Sequence, residues 1–302
     1  MTGEAADATV ALIGLGEVGR VFAEDLRALG VTRIRAWDTA FADPGSRASV
    51  NAAELGLAPS SSAAEAVTGA TFVLSAVTAM NSVPAASSAA TAIDPGAWFF
   101  DLNSSSPGHK RESAALVDAA GGRYVEAALM SPIEPRRLTS PFLLGGPHAA
   151  AFRAEAADGL GLGAARVGAD TVGVAAATKL CRSVVVKGLE ALLSESLLSA
   201  RHYGVEREVL DSLSNILPEA DWDAIAGYFM SRSLQHGVRR AEEMEEAAAT
   251  VAEAGVTPWM ASATVERQRW AAQWRDALGQ EDTISLVDAV RAAAGLDPKE
   301  QA

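Results

Sequence analysis

The apolar residues of this chain keep two rhythms, and the change from one to the other falls near residue 170. Before it, short apolar runs at 9–13, 32–37, 71–77, 97–101 and 123–128 are separated by helix-length segments and punctuated by Gly, Pro, Ser and Asn. Weaker runs at 142–144 and 164–167 flank a helix over 148–160. Strands separated by helices imply right-handed crossovers and a parallel sheet. From Val205 onward the pattern is helical throughout, with breaks at Pro218, Gly227, Gly255, Pro258 and Gly279. The join is the stretch 171–202, TVGVAAATKLCRSVVVKGLEALLSESLLSARH, which lacks proline and reads as one long helix buried on most sides. On it Lys179 shares a face with Ser183 and Lys187, with Arg182 beside them, while Leu180, Val184, Val185 and Leu189 point elsewhere. From spacing alone, that polar line reads as the wet side of a packed helix.

The expected organisation is therefore α/β followed by all-α: a sheet domain over 1–169 and a helical domain over 170–302 that includes the joining helix. A length of 302 residues is comfortable for two domains. Composition adds mainly exclusions. With 25 Lys plus Arg against 38 Asp plus Glu, the net charge of -13 argues against a surface for a phosphate backbone, so nucleic acid is not an expected partner. Cys181 is the only cysteine, so no intrachain disulfide can form, and a reducing cytoplasmic compartment fits. Residues 1–9 are polar with no basic cluster and do not read as a signal peptide. Charges cut even the joining helix too often for a membrane span, and a soluble protein is expected. No metal site is read from the sequence.

The first strand enters Gly14-Leu15-Gly16-Glu17-Val18-Gly19 and then a helical pattern over 20–29. This is G-x-G-x-x-G directly after a strand and opening a helix. Gly14 permits the tight turn, Gly16 lets backbone approach a pyrophosphate, and Gly19 allows helix to pack closely on strand. The second strand ends in Asp38, where a carboxylate can accept from an adenosine ribose. Thr39 and Ala40 follow instead of an arginine for a 2'-phosphate, which favours NAD over NADP, while Arg47 nearby leaves NADP open. The domain is thus of Rossmann type. In a parallel sheet, Val77 and Thr78 lie at a strand end beside the cofactor, and DLNSSSP at 101–107 occupies the same edge one strand on. Ser106 and Pro107 cap and open a helix. Asn103, Ser104 and Ser105 exceed what one cap needs and suit a carboxylate or phosphate. Met130 and Ser131 begin a proline-rich loop that reads equally as substrate wall or surface excursion. In the helical half, His236 is a candidate substrate contact, and the glutamates of 242–246 read as a solvated face with internal ion pairs. Trp259, Trp270 and Trp274 read as packing or a subunit contact, and the apolar surface of the helical domain favours a homodimer.

In this order and spacing, GLGEVG with Asp38, DLNSSSP, EAALMSP at 126–132 and GVAAATKLCRS at 173–183 resemble the beta-hydroxyacid dehydrogenase family, relatives of 6-phosphogluconate dehydrogenase and 3-hydroxyisobutyrate dehydrogenase. The last third looks like a less characterised branch. The resemblance implies that Lys179 is the general acid/base in hydride transfer between a nicotinamide and a small, anionic hydroxy or oxo compound, with Asn103 to Ser105 helping to hold the acidic group. It also implies departures. Ser183 stands where the family usually has Asn, Met130-Ser131-Pro132 replaces its Ser-Gly-Gly turn, and Arg182 replaces the histidine of 6-phosphogluconate dehydrogenases. Activity on 6-phosphogluconate is therefore not expected. Two other readings stay open: an imine reductase, whose relatives commonly lack the lysine, and a protein that senses NAD(H) without turnover.

Overall fold

A computed structural model describes residues 8–215 and 219–296; the residues preceding Ala8 and Pro218 lie outside them. In chain order the first elements are β1 (Thr9–Ile13), α1 (Glu17–Ala28), β2 (Arg33–Trp37), α2 (Arg47–Leu55), α3 (Ala63–Val67), β3 (Phe72–Ser75) and α4 (Ser82–Ala90). They continue with β4 (Trp98–Asp101), α5 (Pro107–Ala119), β5 (Arg123–Leu129), β6 (Phe142–Gly145), α6 (Ala149–Glu155) and β7 (Arg166–Ala169). The helices that follow are α7 (Val174–Tyr203), α8 (Glu206–Leu213), α9 (Trp222–Glu253), α10 (Trp259–Ala272) and α11 (Thr283–Ala293). Contacts divide the chain into one compact unit up to Leu180 and another from Cys181.

In the first unit the sheet order is β2-β1-β3-β4-β5-β6-β7. Strands β1 to β5 run parallel; β1, β3 and β4 are buried on both faces because helices cover both, while the edge strand β2 exposes Arg33 and Arg35. Val10, Leu12 and Phe100 face a core with Phe22, Leu26 and Phe152, while Ile13, Val73 and Phe99 face another with Ala86, Val117 and Tyr124. Each such buried side chain contributes about 1.5–3 kcal/mol. One expectation fails here: β6 is antiparallel to β5. The loop between them carries Pro132, Pro135 and a single 3-10 turn at Arg137–Thr139, too short for a crossover, so the chain folds back. The helix expected over 148–160 also ends early, at Glu155.

The second unit packs Leu193 and Leu197 of α7 with Leu210 of α8, Met230 and Leu234 of α9, and Leu286 and Val290 of α11. Helices α9 and α10 approach until their backbones nearly touch: a Cβ on Gly237 would lie 2.5 Å from the carbonyl oxygen of Gln268. The joining helix reverses the expectation for its faces. It is not buried on most sides, for Val185 and Leu192 are 63% and 54% exposed. The polar line is the inner one: Ser183, Lys187, Glu190 and Ser194 are all buried. They can be buried because they are paired. Lys187 Nζ lies 2.8 Å from Glu243 Oε2, and Glu190 receives the Arg240 guanidinium and, at 3.2 Å, Gln268 Nε2. The acidic run of α9 divides: Glu243 and Glu246 turn inward, while Glu245 stays part-exposed against Arg269, and Arg239–Glu243 is an ion pair of the kind expected within the helix. Among the described residues no helix is long and apolar enough to cross a membrane.

Candidate functional site

Because β1 to β5 are parallel, the loops that leave β1, β3 and β4 all open on one edge of the sheet. The glycine loop is built for close approach there. Gly14 has φ +95° and a Cβ on it would meet the Ala76 carbonyl oxygen at 2.4 Å; one on Gly19 would meet that of Gly14 at 2.1 Å. Above Gly16 there is open space, and Gly16 precedes α1 as its N-cap with no side-chain cap bond, which suits an anion at the helix start. Leu15 is buried, Val18 half-buried and Glu17 exposed. Asp38 is half-buried, and its two carboxylate oxygens accept from Leu15 N at 2.8 Å and Ala40 N at 2.9 Å. The carboxylate thus braces the glycine loop itself, and any ribose hydroxyl would use its remaining lone pairs. Buried Asn51 braces the loop from the other side, donating to Leu15 O at 2.8 Å. Sequence reading missed Asn51; its only signal was an amide among the alanines of a helix. An uncapped helix start, space over Gly16 and a fixed acceptor at Asp38 together fit a dinucleotide.

The loop after β4 separates three residues that the sequence grouped. Asn103 is buried: its Oδ1 accepts from Val77 N at 2.7 Å and its Nδ2 donates to Ser75 Oγ at 2.9 Å. Ser105 is buried against Ser82, 3.1 Å between hydroxyls. Both side chains therefore tie the loop to β3 and α4. Ser104 alone of the three is half-buried, and Lys179 Nζ donates to its Oγ at 2.6 Å. Thr78 is exposed at the neighbouring strand end, 2.9 Å from Asn81 Nδ2. Met130 packs with Ala128 and Leu143 on Ala175, in the first turn of α7, and Ser131 Oγ donates to Pro132 O at 3.0 Å. The loop beyond is held to α1 by Arg137, which bonds Asp25 at 2.8 Å and Glu24 at 2.7 Å.

Ser183 and His236 belong to the second unit. Ser183 Oγ accepts from Lys187 Nζ at 3.2 Å, and His236 Nε2 lies 2.8 Å from Arg232. Among the described residues no cluster of His, Cys, Asp and Glu has the grouping of a metal site.

Behind Ser104 and Lys179 lies a buried charged cluster that the sequence reading passed over. Asp101, the last residue of β4, takes Lys110 Nζ at 2.9 Å and Asn103 N at 2.9 Å on one carboxylate oxygen and the Tyr124 hydroxyl at 2.6 Å on the other. Burial and the Asp101 charge push the Tyr124 phenol well up, so it stays a donor. Next to Asp101 in the β4–β5 register is Glu126, whose carboxylate accepts from Gly173 N at 2.6 Å and from Ala176 N at the start of α7. Burial raises the Glu126 carboxyl, against the pull of Lys110 and the two backbone N–H groups. Hydrogen bonds to a charged group contribute about 1.5–3 kcal/mol each. The signal was a single carboxylate inside RYVEAAL, a run otherwise fit for a buried strand; such a charge has to find partners.

Residues 9–156 match the NAD binding domain of 6-phosphogluconate dehydrogenase, and residues 200–271 match a domain of unknown function, DUF1932. No curated protein matches the chain. Among solved structures it is similar to a conserved hypothetical protein from Sinorhizobium meliloti, with 34% identity, TM-score 0.73 and coverage of 94% of this chain and 96% of that one. It is also similar to the conserved protein MTH1747 of unknown function, described as structurally similar to 3-hydroxyacid dehydrogenases, with 28% identity, TM-score 0.66 and coverage of 87% and 97%. The 3-hydroxyisobutyrate dehydrogenase of Mycobacterium tuberculosis with L-serine shares the fold at 21% identity, TM-score 0.69 and coverage of 94% and 99%. With a dinucleotide-binding unit of the 6-phosphogluconate dehydrogenase type and a DUF1932 domain in its helical unit, the chain belongs to the beta-hydroxyacid dehydrogenase family.

Proposed function

We propose that the protein is an NAD(P)-dependent oxidoreductase acting on a small, anionic hydroxy acid or the matching oxo compound, with Lys179 as its general acid/base. The observation that carries this reading is the 2.6 Å bond from Lys179 Nζ to Ser104 Oγ, which fixes an ammonium group in the loop cluster at the cofactor edge of the sheet. A bound nicotinamide supplies or accepts the hydride. The chain's own residues do the rest. Gly14 to Gly19 and Asp38 hold the dinucleotide, with Val77 and Thr78 beside it. As the neutral amine Lys179 takes the hydroxyl proton in oxidation, and as the ammonium it gives a proton to the carbonyl oxygen in reduction, while Ser104 orients it and offers a hydroxyl to the substrate. NAD is favoured, since Asp38 repels a 2'-phosphate. Met130 and Ser131 stand as further substrate contacts. Pairing of two copies is supported by the exposed Val185, Leu189 and Leu192 along α7, and sedimentation at several concentrations tests it.

The test is turnover on a panel of hydroxy acids and cyclic imines with NAD(H) and NADP(H), in wild type and Lys179→Met. Hydroxy-acid turnover that the variant loses while still binding NADH supports the reading. Near-normal turnover by a folded variant refutes the role of Lys179, imine turnover refutes the substrate class, and cofactor binding without turnover refutes the enzyme.

A further inference from the structure

Lys179 and Ser104 come from different parts of the chain, a helix and a strand-end loop, and each is set by one of two adjacent carboxylates. Asp101 fixes the loop: it takes Asn103 N on a side-chain oxygen, and Lys110 Nζ reaches both that carboxylate and, at 3.2 Å, the Asp101 carbonyl oxygen. Glu126 fixes the helix: it accepts from Gly173 N and from Ala176 N, one turn ahead of Lys179. The two strands pair Asp101 with Glu126 directly. Space for the second carboxylate exists because residue 145 has no side chain; a Cβ there would lie 2.6 Å from Glu126 Oε2 and 3.4 Å from Ala175 Cβ. The Glu126 carboxylate thus has room to meet the backbone N–H groups at the start of α7.

We propose that Glu126 is the positioning residue of the lysine site: its carboxylate, seated in the space left by Gly145, anchors the first turn of α7 and so sets the Lys179 ammonium against Ser104. The proposal rests on the role assigned to Lys179 above. It requires an acceptor on both carboxylate oxygens, because both receive backbone N–H groups. An isosteric amide fills the same volume but turns an N–H donor toward one of those donors, so Glu126→Gln separates anchoring from space filling.

The chain has four lysines, Lys110, Lys179, Lys187 and Lys299, so reductive methylation with 13C-formaldehyde gives few NMR signals, and Lys179→Met assigns that of Lys179. In Glu126→Gln we expect the Lys179 signal to move toward that of a freely exposed lysine. In turnover, kcat should fall about 10²-fold, as for a reacting group displaced by an ångström, with KM for NADH unchanged. Should the amide variant fail to fold, Gly145→Ala serves instead. It keeps the charge, drives a methyl against Oε2, and should move the same signal. A Lys179 signal and kcat both at their wild-type values in either folded variant overturn the proposal. The NMR arm needs no substrate, so it decides the positioning even if no turnover is ever found. Loss of activity in Lys179→Met alone, with Glu126→Gln normal, keeps the catalytic reading and removes this one.

Discussion

In the first unit, the buried carboxylates of Asp101 and Glu126 take backbone N–H groups, those of Asn103, Gly173 and Ala176, beside the Lys110 ammonium and Tyr124 hydroxyl on Asp101. In the second, Glu190 and Glu243 bond to side chains, those of Arg240, Gln268 and Lys187. The first arrangement fixes where a loop and a helix begin, and the residues so fixed are Ser104 and Lys179. The second ties α7 to α9 and α10. Burial alone therefore does not mark a functional charge; what the charge holds does. In both places burial raises a carboxyl, Glu126 in one and Glu190 in the other, so each cluster keeps its ionised form only through its partners.

Substitutions can break that contrast, and the largest effect should come at the site. Lys179→Met should lower kcat by about 10²–10⁴-fold with NADH binding retained, measured by steady-state kinetics beside a fluorescence titration. Next is Arg240→Met, which leaves Glu190 buried without its guanidinium. A loss of about 3–5 kcal/mol in urea unfolding is expected. A loss of nucleotide affinity instead, with stability kept, would make the second cluster functional and end the distinction.

A smaller effect sharpens the first cluster. The folded carboxyl of Glu126 is raised above its ordinary value of 4.5, so the folded state holds that proton more tightly than the unfolded chain does. Its contribution to stability is full below 4.5 and is lost as pH rises through the raised value. The difference in Tm between wild type and Glu126→Gln should therefore move against wild type over that window, while wild-type activity rises across it. A flat difference would mean that Glu126 titrates as an ordinary exposed acid. Smallest is Asp38→Ala, which should narrow the preference for NADH over NADPH and, by removing the acceptor of Leu15 N, weaken binding of both.

Much of the fold was legible. The strand of β1, the glycine loop and the helix after it follow from local rules, because apolar runs, glycine conformation and capping act within a few residues. The reversal at β6 was not legible, since its direction depends on the absence of a crossover between Leu129 and Phe142. At the site, DLNSSSP marked the right loop, but which hydroxyl meets Lys179 is a matter of rotation about a chain whose Asn103 and Ser105 are claimed by Ser75 and Ser82. The faces of α7 were read inside out for the same reason: a periodicity gives the faces of a helix and leaves open which one a neighbour supplies with counter-charges.

The sequence by itself determined the Rossmann-type start, the order of sheet and helices, the glycine loop and the place of Lys179 on a long helix, all set by side-chain period and backbone freedom. Only the tertiary structure decided that Glu126 meets the first turn of α7, 47 residues on at its nearer contact, that Ser104 and not Asn103 reaches Lys179, and that Lys187 and Glu190 lie inward. Those are pairings of charge and hydrogen bond between distant segments, and a buried polar group takes whichever partner the packed chain brings within about 3 Å.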